Sequence, residues 1–153
     1  TGHLVLSTLH TNDAASSIIR LIDMGVASYM VASSVNCVVA QRLVKKLCPE
    51  CKRRREIRPE EAALLHDDSI THLYEPVGCP RCGNTGFKGR TAIYEIIEID
   101  NDLRRMISEG KNTEEIREFA KEHGATFLED SIKSLIKDGT TSISEFYRLI
   151  YSI

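Results

Sequence analysis

The pattern of apolar and polar positions predicts that the chain begins with a strand and a helix. The segment L-V-L-S-T-L, Leu4 to Leu9, is short, mostly apolar and partly β-branched, which is typical of a buried strand. Residues 11–13 (T-N-D) supply an N-cap and an acidic charge, so a helix is predicted over about residues 13–24, ended by Gly25. A strand followed by a capped helix is the half-unit of an α/β sheet, so the pattern predicts an α/β fold.

The next segment is rich in small apolar residues and predicts a second, longer helix over residues 27–47. Its middle, which contains Cys37, is expected to be buried, and its basic end suits the negative pole of a helix dipole. From residue 48 to 89 the chain changes character, since all four prolines lie there together with several glycines. One short helix, from Pro59 to about His66, is predicted inside this stretch.

The last third of the chain predicts one strand and then helices. The segment T-A-I-Y-E-I-I-E-I over residues 91–99 is typical of a strand and is a candidate hairpin partner for the cysteine-containing stretch. Asp100 and Asn112 can each cap a following helix, and T-x-x-E at 126–129 and S-x-x-E at 142–145 are capping boxes. The tail is therefore predicted to be a bundle of four short helices, which makes the fold α-rich.

Composition and charge place the chain among ordinary globular proteins. Its 153 residues are 42% hydrophobic and 27% charged, enough for one domain or two small ones. The net charge of −2 argues against nucleic-acid binding by the whole chain, although residues 41–58 carry eight basic and two acidic side chains. We find neither a signal peptide nor a run of the roughly 20 apolar residues that a membrane span needs. The chain opens on Thr1 and runs almost at once into the predicted strand, so we expect a piece of a larger protein.

Four cysteines form the strongest chemical motif in the sequence. C-P-E-C holds Cys48 and Cys51, and C-P-R-C holds Cys79 and Cys82. Each C-x-x-C pair can place two thiolates on one tight turn, and two pairs predict a closed, structural Zn²⁺ site. Disulfides or unrelated buried cysteines are the alternatives, and an iron–sulfur cluster is disfavoured by the spacing. Cys37 is predicted to be a core residue.

Two histidines flank the first predicted strand. His10 follows its carboxyl end, where open α/β sheets bind ligands, and an imidazole can contact a phosphate or a catalytic water. His3 lies at the other end, and an odd separation would place the two side chains on opposite faces of a straight strand. Geometry therefore favours His10, while a purely structural role for both histidines stays open.

Three segments together resemble one known family. T-G-H-L-V-L-S-T-L-H-T-N-D-A at the start is similar to the histidine box of the type II secretion and type IV pilus assembly ATPases. V-A-Q-R-L-V-K-K-L-C-P-E-C at 39–51 and G-C-P-R-C-G-N-T-G-F-K-G-R-T-A-I-Y-E at 78–95 resemble later parts of the same family. The similarity covers essentially the whole chain in the expected order.

The resemblance implies a hexameric motor on the cytoplasmic face of the inner membrane that couples ATP hydrolysis to pilus assembly or type II secretion. It implies that residues 1–47 are the C-terminal part of a RecA-like ATPase domain, residues 48–89 the four-Cys zinc module, and residues 90–153 a strand and a helical subdomain. His3 and His10 would lie beside the nucleotide and be linked to its hydrolysis. Partners would be platform or secretion proteins of the inner membrane. The four cysteines favour assembly or secretion over retraction, but the sequence does not separate pilus assembly from secretion.

The chain also departs from the family pattern. No G-x-x-x-x-G-K-[ST] occurs in it, and no acidic Walker B segment precedes Thr1. ATP and Mg²⁺ are therefore expected to bind only in a full-length parent, and this chain alone should not hydrolyse ATP.

The basic stretch leaves several interpretations open. K-R-R-R at 52–55 could form a solvated rim that offsets the thiolate charge, or contact anionic lipid headgroups. Nucleic-acid binding is not expected, because few aromatic residues lie nearby. A free-standing zinc ribbon that binds nucleic acid or protein is the alternative function, and it leaves the histidine segment unexplained.

Overall fold

The computed structural model describes residues 2–151 of the chain as a mixed α/β structure of helices and two small sheets. In chain order the elements are α1 (Ala14–Asp23), α2 (Ser28–Ser34), β1 (Cys37–Leu47), β2 (Arg53–Glu56), α3 (Pro59–Leu65), β3 (His72–Glu75), a 3-10 turn (Pro80–Cys82), β4 (Phe87–Glu98), α4 (Asn101–Ser108), α5 (Thr113–Glu122), α6 (Leu128–Lys137) and α7 (Ile143–Tyr151). Strand β1 pairs with β4, and β2 pairs with β3 in antiparallel register. None of the helices in the described part of the chain has the length and apolar character of a membrane span.

The described residues divide into two compact units. Unit 1 comprises the residues up to Ala40 and Glu95–Phe127, and unit 2 comprises Gln41–Tyr94 and the residues from Leu128 onward. These cuts differ from the three segments predicted from sequence, which remain a prediction about domain organisation.

Unit 1 is organised around helices α1, α2, α4 and α5. Helix α1 packs on α5 and α2 packs on α4, because each helix has an apolar stripe that must leave water. Side chains at the centre are fully buried, among them Ile18, Ile97 and Ile116. Asp13 caps α1 by accepting the Ser16 N–H at 2.8 Å.

Unit 2 surrounds a second apolar cluster. Leu65 from α3, Leu73 from β3 and Ile93 from β4 are buried together with Ile132 and Ile136 of α6. Their burial gives the unit its own hydrophobic core, of the kind that stabilises a domain-like unit.

The predicted first strand, Leu4 to Leu9, is wrong for the described structure. These residues have no regular secondary structure, and Leu4, Val5 and Leu6 are 81%, 77% and 89% exposed. A strand needs a neighbour to satisfy its backbone groups, and no strand of residues 2–151 pairs with this segment. Since these residues do not form a strand, the prediction that His3 and His10 lie on opposite faces of one is wrong as well.

The predicted long helix over residues 27–47 is also wrong. Only Ser28–Ser34 is helical, and Cys37–Leu47 is strand β1. Valines at positions 38, 39 and 44 favour a strand once β4 is available as a partner. Cys37 is consequently exposed on β1, not a core residue.

The other elements follow the predictions more closely. The helices expected from about residue 13, from Pro59, from Asp100 and from Asn112 are confirmed, and β4 confirms the strand at 91–99, with β1 as its partner. All four tail helices are present in the described structure; α4 and α5 belong to unit 1, and α6 and α7 belong to unit 2.

Candidate metal centre and histidine segment

The four cysteines of the two C-x-x-C pairs lie together in unit 2. Their sulfur atoms are all within 4.8 Å of one another. Cys48 Sγ is 3.9 Å from Cys79 Sγ, and Cys51 Sγ is 3.9 Å from Cys82 Sγ. We define these four residues as the cysteine cluster.

Each C-x-x-C pair forms a tight turn of its own. In the first, the Lys52 N–H donates to the Cys48 carbonyl at 3.0 Å. In the second, the Cys82 N–H donates to the Cys79 carbonyl at 3.1 Å. Proline at the second position of both pairs suits such a turn, because its φ is already close to the required value.

Pairing of β1 with β4 brings the two turns together. Strand β1 ends at Leu47, directly before Cys48, and β4 begins at Phe87, shortly after Cys82. The Cys48 N–H donates to the Gly86 carbonyl at 2.9 Å, which extends this pairing up to the first ligand. Cys51 and Cys79, which are separated by 27 residues in sequence, therefore share one site.

The sulfur spacing fits a tetrahedral metal ion. Zinc–sulfur bonds of about 2.3 Å in a tetrahedron place the sulfurs about 3.8 Å apart. The observed separations of 3.8 and 3.9 Å agree with that value. A disulfide would need sulfurs about 2.05 Å apart, and all five cysteines are free. The cluster can therefore hold a metal ion such as zinc.

Backbone amides of the second turn point at one sulfur. The N–H groups of Cys79 and Gly86 both donate to Cys82 Sγ at 3.2 Å. Burial raises the pKa of the Cys82 thiol, but these amide hydrogen bonds outweigh it and lower the pKa to about 6. For Cys51 desolvation is the largest effect, and the pKa of that thiol is raised to about 11. Gly83, which follows Cys82, adopts φ 61°, and its N–H donates to the Pro80 carbonyl at 3.3 Å.

Gly86 is the position in this turn where a side chain should be most damaging. It has φ 75°, and a Cβ there would lie 2.3 Å from Pro76 Cβ. We expect Gly86→Ala to lower the free energy of unfolding of unit 2 by about 3 kcal/mol, combining left-handed strain with overpacking. Urea titration followed by tyrosine fluorescence measures this, since four of the five tyrosines lie in unit 2.

Gly89→Ala is the matched control for that substitution. Gly89 has a similar φ of 77°, but no atom lies within 4 Å of the position that a Cβ would occupy there. Only the backbone strain, about 1 kcal/mol, should appear in this variant. Equal losses in the two variants would show that the Pro76 contact does not matter.

The basic stretch beside the cluster is largely paired within unit 2. Arg53 Nη2 lies 2.6 Å from Glu75 Oε1, and Arg55 forms two hydrogen bonds with the carboxylate of Glu61. Lys52 Nζ donates to the Gly139 carbonyl at 2.7 Å. This internal pairing favours a structural role for these side chains over contact with lipid headgroups or nucleic acid.

The pair of Arg55 and Glu61 should contribute measurably to stability, because Glu61 is only 5% exposed. We expect Glu61→Ala to lower the free energy of unfolding of unit 2 by about 2 kcal/mol at pH 7, since the guanidinium of Arg55 loses its two hydrogen bonds to Glu61 and keeps only its ion pair with Glu75. Glu60→Ala, which changes an exposed neighbour on the same helix, should change it by less than about 0.5 kcal/mol.

The same pair predicts a direction of pH dependence. Hydrogen bonds from Arg55 lower the pKa of Glu61 below its ordinary value, which is about 4.3. The stabilisation is therefore present above the unfolded pKa and is lost as the pH falls through the lower, folded pKa. The difference between wild type and Glu61→Ala should narrow in acid; a difference that stays constant down to the acid transition would contradict the ionic origin.

The histidine segment lies in unit 1 at the start of α1. His10 lines an open cleft of about 380 Å³, together with Asn12, Asp13, Arg20 and Thr113 among others. Thr11 Oγ1 lies 2.6 Å from Ser17 Oγ, a hydrogen bond that ties the segment to the first turn of α1. His3 does not line this cleft and is exposed.

A buried carboxylate beside this segment was missed in the sequence. Glu95 of β4 is 1% exposed, and its Oε1 accepts the N–H of Ala14, the first residue of α1, at 2.9 Å. The sequence did contain a signal, because Ile93, Glu95 and Ile97 alternate along one face of the strand. A charged residue on the buried face of a strand needs a polar or oppositely charged partner. This alternation could therefore have marked Glu95 as a buried carboxylate with a partner elsewhere in the chain.

Comparisons with known proteins find relatives along nearly the whole chain. The family model described as "Type II/IV secretion system protein" matches residues 1–148. The chain is 45% identical to a type IV pilus assembly ATPase PilB of Pseudomonas aeruginosa over 97% of its length, and 42% identical to a type IV pilus assembly ATPase TfpB of Acinetobacter baylyi over 98%. It is 38% identical to a putative type II secretion system protein E of Escherichia coli over 97%.

The chain belongs to the type II/IV secretion system protein family. It spans 27%, 26% and 30% of the length of those three relatives, respectively, so it corresponds to between a quarter and a third of each of the three. The resemblance of the chain to the family of type II secretion and type IV pilus assembly ATPases is thus confirmed.

Proposed function

We propose that this chain is the C-terminal portion of a hexameric motor ATPase that powers type IV pilus assembly or type II secretion. The observation that supports this most directly is the match along nearly the whole chain to relatives named as pilus assembly ATPases or secretion proteins. The motor works at the cytoplasmic face of the inner membrane with platform proteins there. Residues 1–47 complete its RecA-like ATPase domain, residues 48–89 are its zinc module, and residues 90–153 are its helical subdomain.

The zinc in this proposal is structural. Four cysteine ligands leave no coordination position open for a substrate or water, as is typical of structural zinc sites. Cys48, Cys51, Cys79 and Cys82 would hold the ion, and binding it would link the end of β1 to the turn before β4. Its contribution is to folding and to the rigidity of unit 2.

ATP hydrolysis in this proposal belongs to the full-length protein. A phosphate-binding G-x-x-x-x-G-K-[ST] loop does not occur in these 153 residues, and phosphoryl transfer needs the lysine and Mg²⁺ ligands that such a loop and a Walker B acid supply. This C-terminal portion contributes His10 and the cleft at the start of α1 to the nucleotide site of the full-length protein. His3 contributes less, because it does not line the cleft.

The test compares the full-length protein with this chain. The full-length protein should form hexamers in native mass spectrometry and hydrolyse ATP with Mg²⁺, while this chain should show no hydrolysis above background. Absence of hydrolysis by folded, full-length hexamers, with and without membranes of the host bacterium, would contradict the motor assignment.

The alternative, a zinc ribbon that binds nucleic acid, makes a different prediction. It requires salt-sensitive binding of this chain to oligonucleotides, weakened when Arg53, Arg54 and Arg55 are changed to alanine. Since Arg53 and Arg55 already face carboxylates, we expect no binding at about 50 mM salt in a fluorescence anisotropy titration. Tight binding abolished by the triple substitution would favour the alternative.

A further inference from the structure

We propose that Glu95 is a positioning residue for the histidine segment, defined as His10–Asp13. The inference rests on the proposed function, because it concerns how unit 1 holds the side chain of His10 in the nucleotide site. Glu95 lies on β4, more than 80 residues away in sequence, yet its carboxylate reaches the first turn of α1.

The carboxylate meets an unsatisfied backbone group. The first N–H groups of an α-helix have no intrahelical acceptor, and the positive end of the helix dipole favours a negative charge there. Glu95 Oε1 accepts the Ala14 N–H at 2.9 Å, and Asp13 Oδ1 accepts the Ser16 N–H at 2.8 Å. One local and one distant carboxylate therefore satisfy two donors of the same turn.

Burial makes the distant contact informative. Glu95 is 1% exposed and Ala14 is fully buried, so the carboxylate has left water to make this hydrogen bond. Arg117 of α5 offsets part of its charge, with Nη1 3.7 Å from Glu95 Oε2. The guanidinium of Arg117 is held in turn over the Phe127 ring, 4.6 Å from its centroid. An ionised side chain is expensive to bury without such partners.

The contact between Glu95 and Ala14 can affect His10, which lines the cleft, because the two ends of the histidine segment are joined by only four residues of chain. Ala14 directly follows the histidine segment, and the hydrogen bond between Thr11 and Ser17 fastens the segment to the same turn. The predicted first strand is absent from the described structure, so the regular structure adjoining His10 is the start of α1. The hydrogen bond from the Ala14 N–H to Glu95 therefore holds the first turn of α1 in place, and with it the C-terminal end of the histidine segment that carries His10.

The first test measures the contact directly in this chain. With uniform ¹⁵N labelling, Glu95→Ala should speed amide hydrogen exchange of Ala14 by about tenfold relative to wild type, because a local opening then exposes an unpaired N–H. In Glu95→Gln an amide oxygen replaces a charged acceptor, so the Ala14 amide proton should shift upfield while its exchange stays slow. Core amides of Ile107 and Ile116 should not change in either variant.

Glu98→Gln is the matched control, since Glu98 is on the same strand but exposed. It should leave the Ala14 amide unaltered. If Glu95→Ala unfolds unit 1, the chemical shift of the Ala14 amide proton in Glu95→Gln is the remaining test. An identical chemical shift in wild type and Glu95→Gln overturns the inference.

The second test separates this inference from the proposed function. In the full-length protein, Glu95→Ala should lower kcat for ATP hydrolysis by about tenfold. In a His10→Ala background the same substitution should lower kcat little further, because Glu95 acts through His10. A changed Ala14 amide with unchanged hydrolysis would sustain the positioning contact and overturn the role given to His10. Additive losses would overturn the coupling between Glu95 and His10.

Discussion

Cys79→Ser should remove the bound metal and most of the stability of unit 2. We expect the wild-type chain, purified without added metal, to contain about one zinc per molecule by plasma mass spectrometry, and the variant to contain almost none. A serine hydroxyl is a far weaker zinc ligand than a thiolate, and three remaining sulfurs leave the tetrahedron open. The free energy of unfolding of unit 2 should fall by about 4 kcal/mol or more, the stabilisation that a ligand supplies at a thousandfold excess over its Kd.

Cys37→Ser provides a matched control, because Cys37 is an exposed cysteine outside the cluster. It should retain the zinc and the stability of the wild type. Zinc content that falls equally in both variants would show that the cluster is not the binding site, and a wild type that is folded without any metal would refute the zinc module itself.

Thiol reactivity gives an independent measurement of the same site. With a chromogenic disulfide reagent, one thiol, that of Cys37, should react rapidly in the metal-bound chain, and all five should react after a chelator removes the ion. Disulfide-bonded cysteines would instead need a reductant, and an iron–sulfur cluster would absorb visible light. Each alternative left open by the sequence thus has its own outcome.

The metal centre could be predicted from sequence because its information is local. Each C-x-x-C turn is complete within four residues, and the chemistry of four thiolates admits few ligands. What the sequence did not reveal is how the two turns meet. That depends on β1 pairing with β4, about fifty residues downstream, and β1 had been predicted as a helix.

The two failed predictions share one physical cause. Residues 37–47 carry apolar side chains at spacings that suit either period, and the presence of a partner strand decides in favour of β1. Residues 4–9 have the composition of a strand, but within residues 2–151 they have no partner and stay irregular. Strand formation is a property of pairs, so a local pattern cannot settle it.

Helix starts were predicted better for the converse reason. Asp13, Asp100 and Asn112 each accept an N–H three residues ahead, an interaction contained in the local sequence. Glu95 shows the limit of that local information. Like a capping residue, Glu95 accepts a hydrogen bond from the first turn of α1. Because it lies on β4, far away in sequence, this hydrogen bond can be recognised only from the three-dimensional structure.

His10→Ala should strongly reduce the ATPase activity of the full-length protein. In the full-length protein we expect kcat for ATP hydrolysis to fall by about 100-fold or more, the range in which a positioned proton-transfer or hydrogen-bonding imidazole contributes. His3→Ala, in the irregular stretch before the histidine segment, is the comparison and should lower kcat clearly less, because His10 lines the cleft at the start of α1 and His3 does not. Steady-state kinetics on hexamers of verified zinc content measures both.

A third variant, His10→Asn, distinguishes the two ways in which His10 can act. Asparagine can hydrogen-bond to a phosphate but cannot transfer a proton, so retained activity in His10→Asn would indicate positioning, and a loss equal to that of His10→Ala would indicate proton transfer. Binding of a non-hydrolysable ATP analogue should change little if the loss lies in kcat. Hydrolysis within about twofold of wild type in His10→Ala would remove His10 from the nucleotide site, and with it the reason for unit 1 to bury a carboxylate at the first turn of α1.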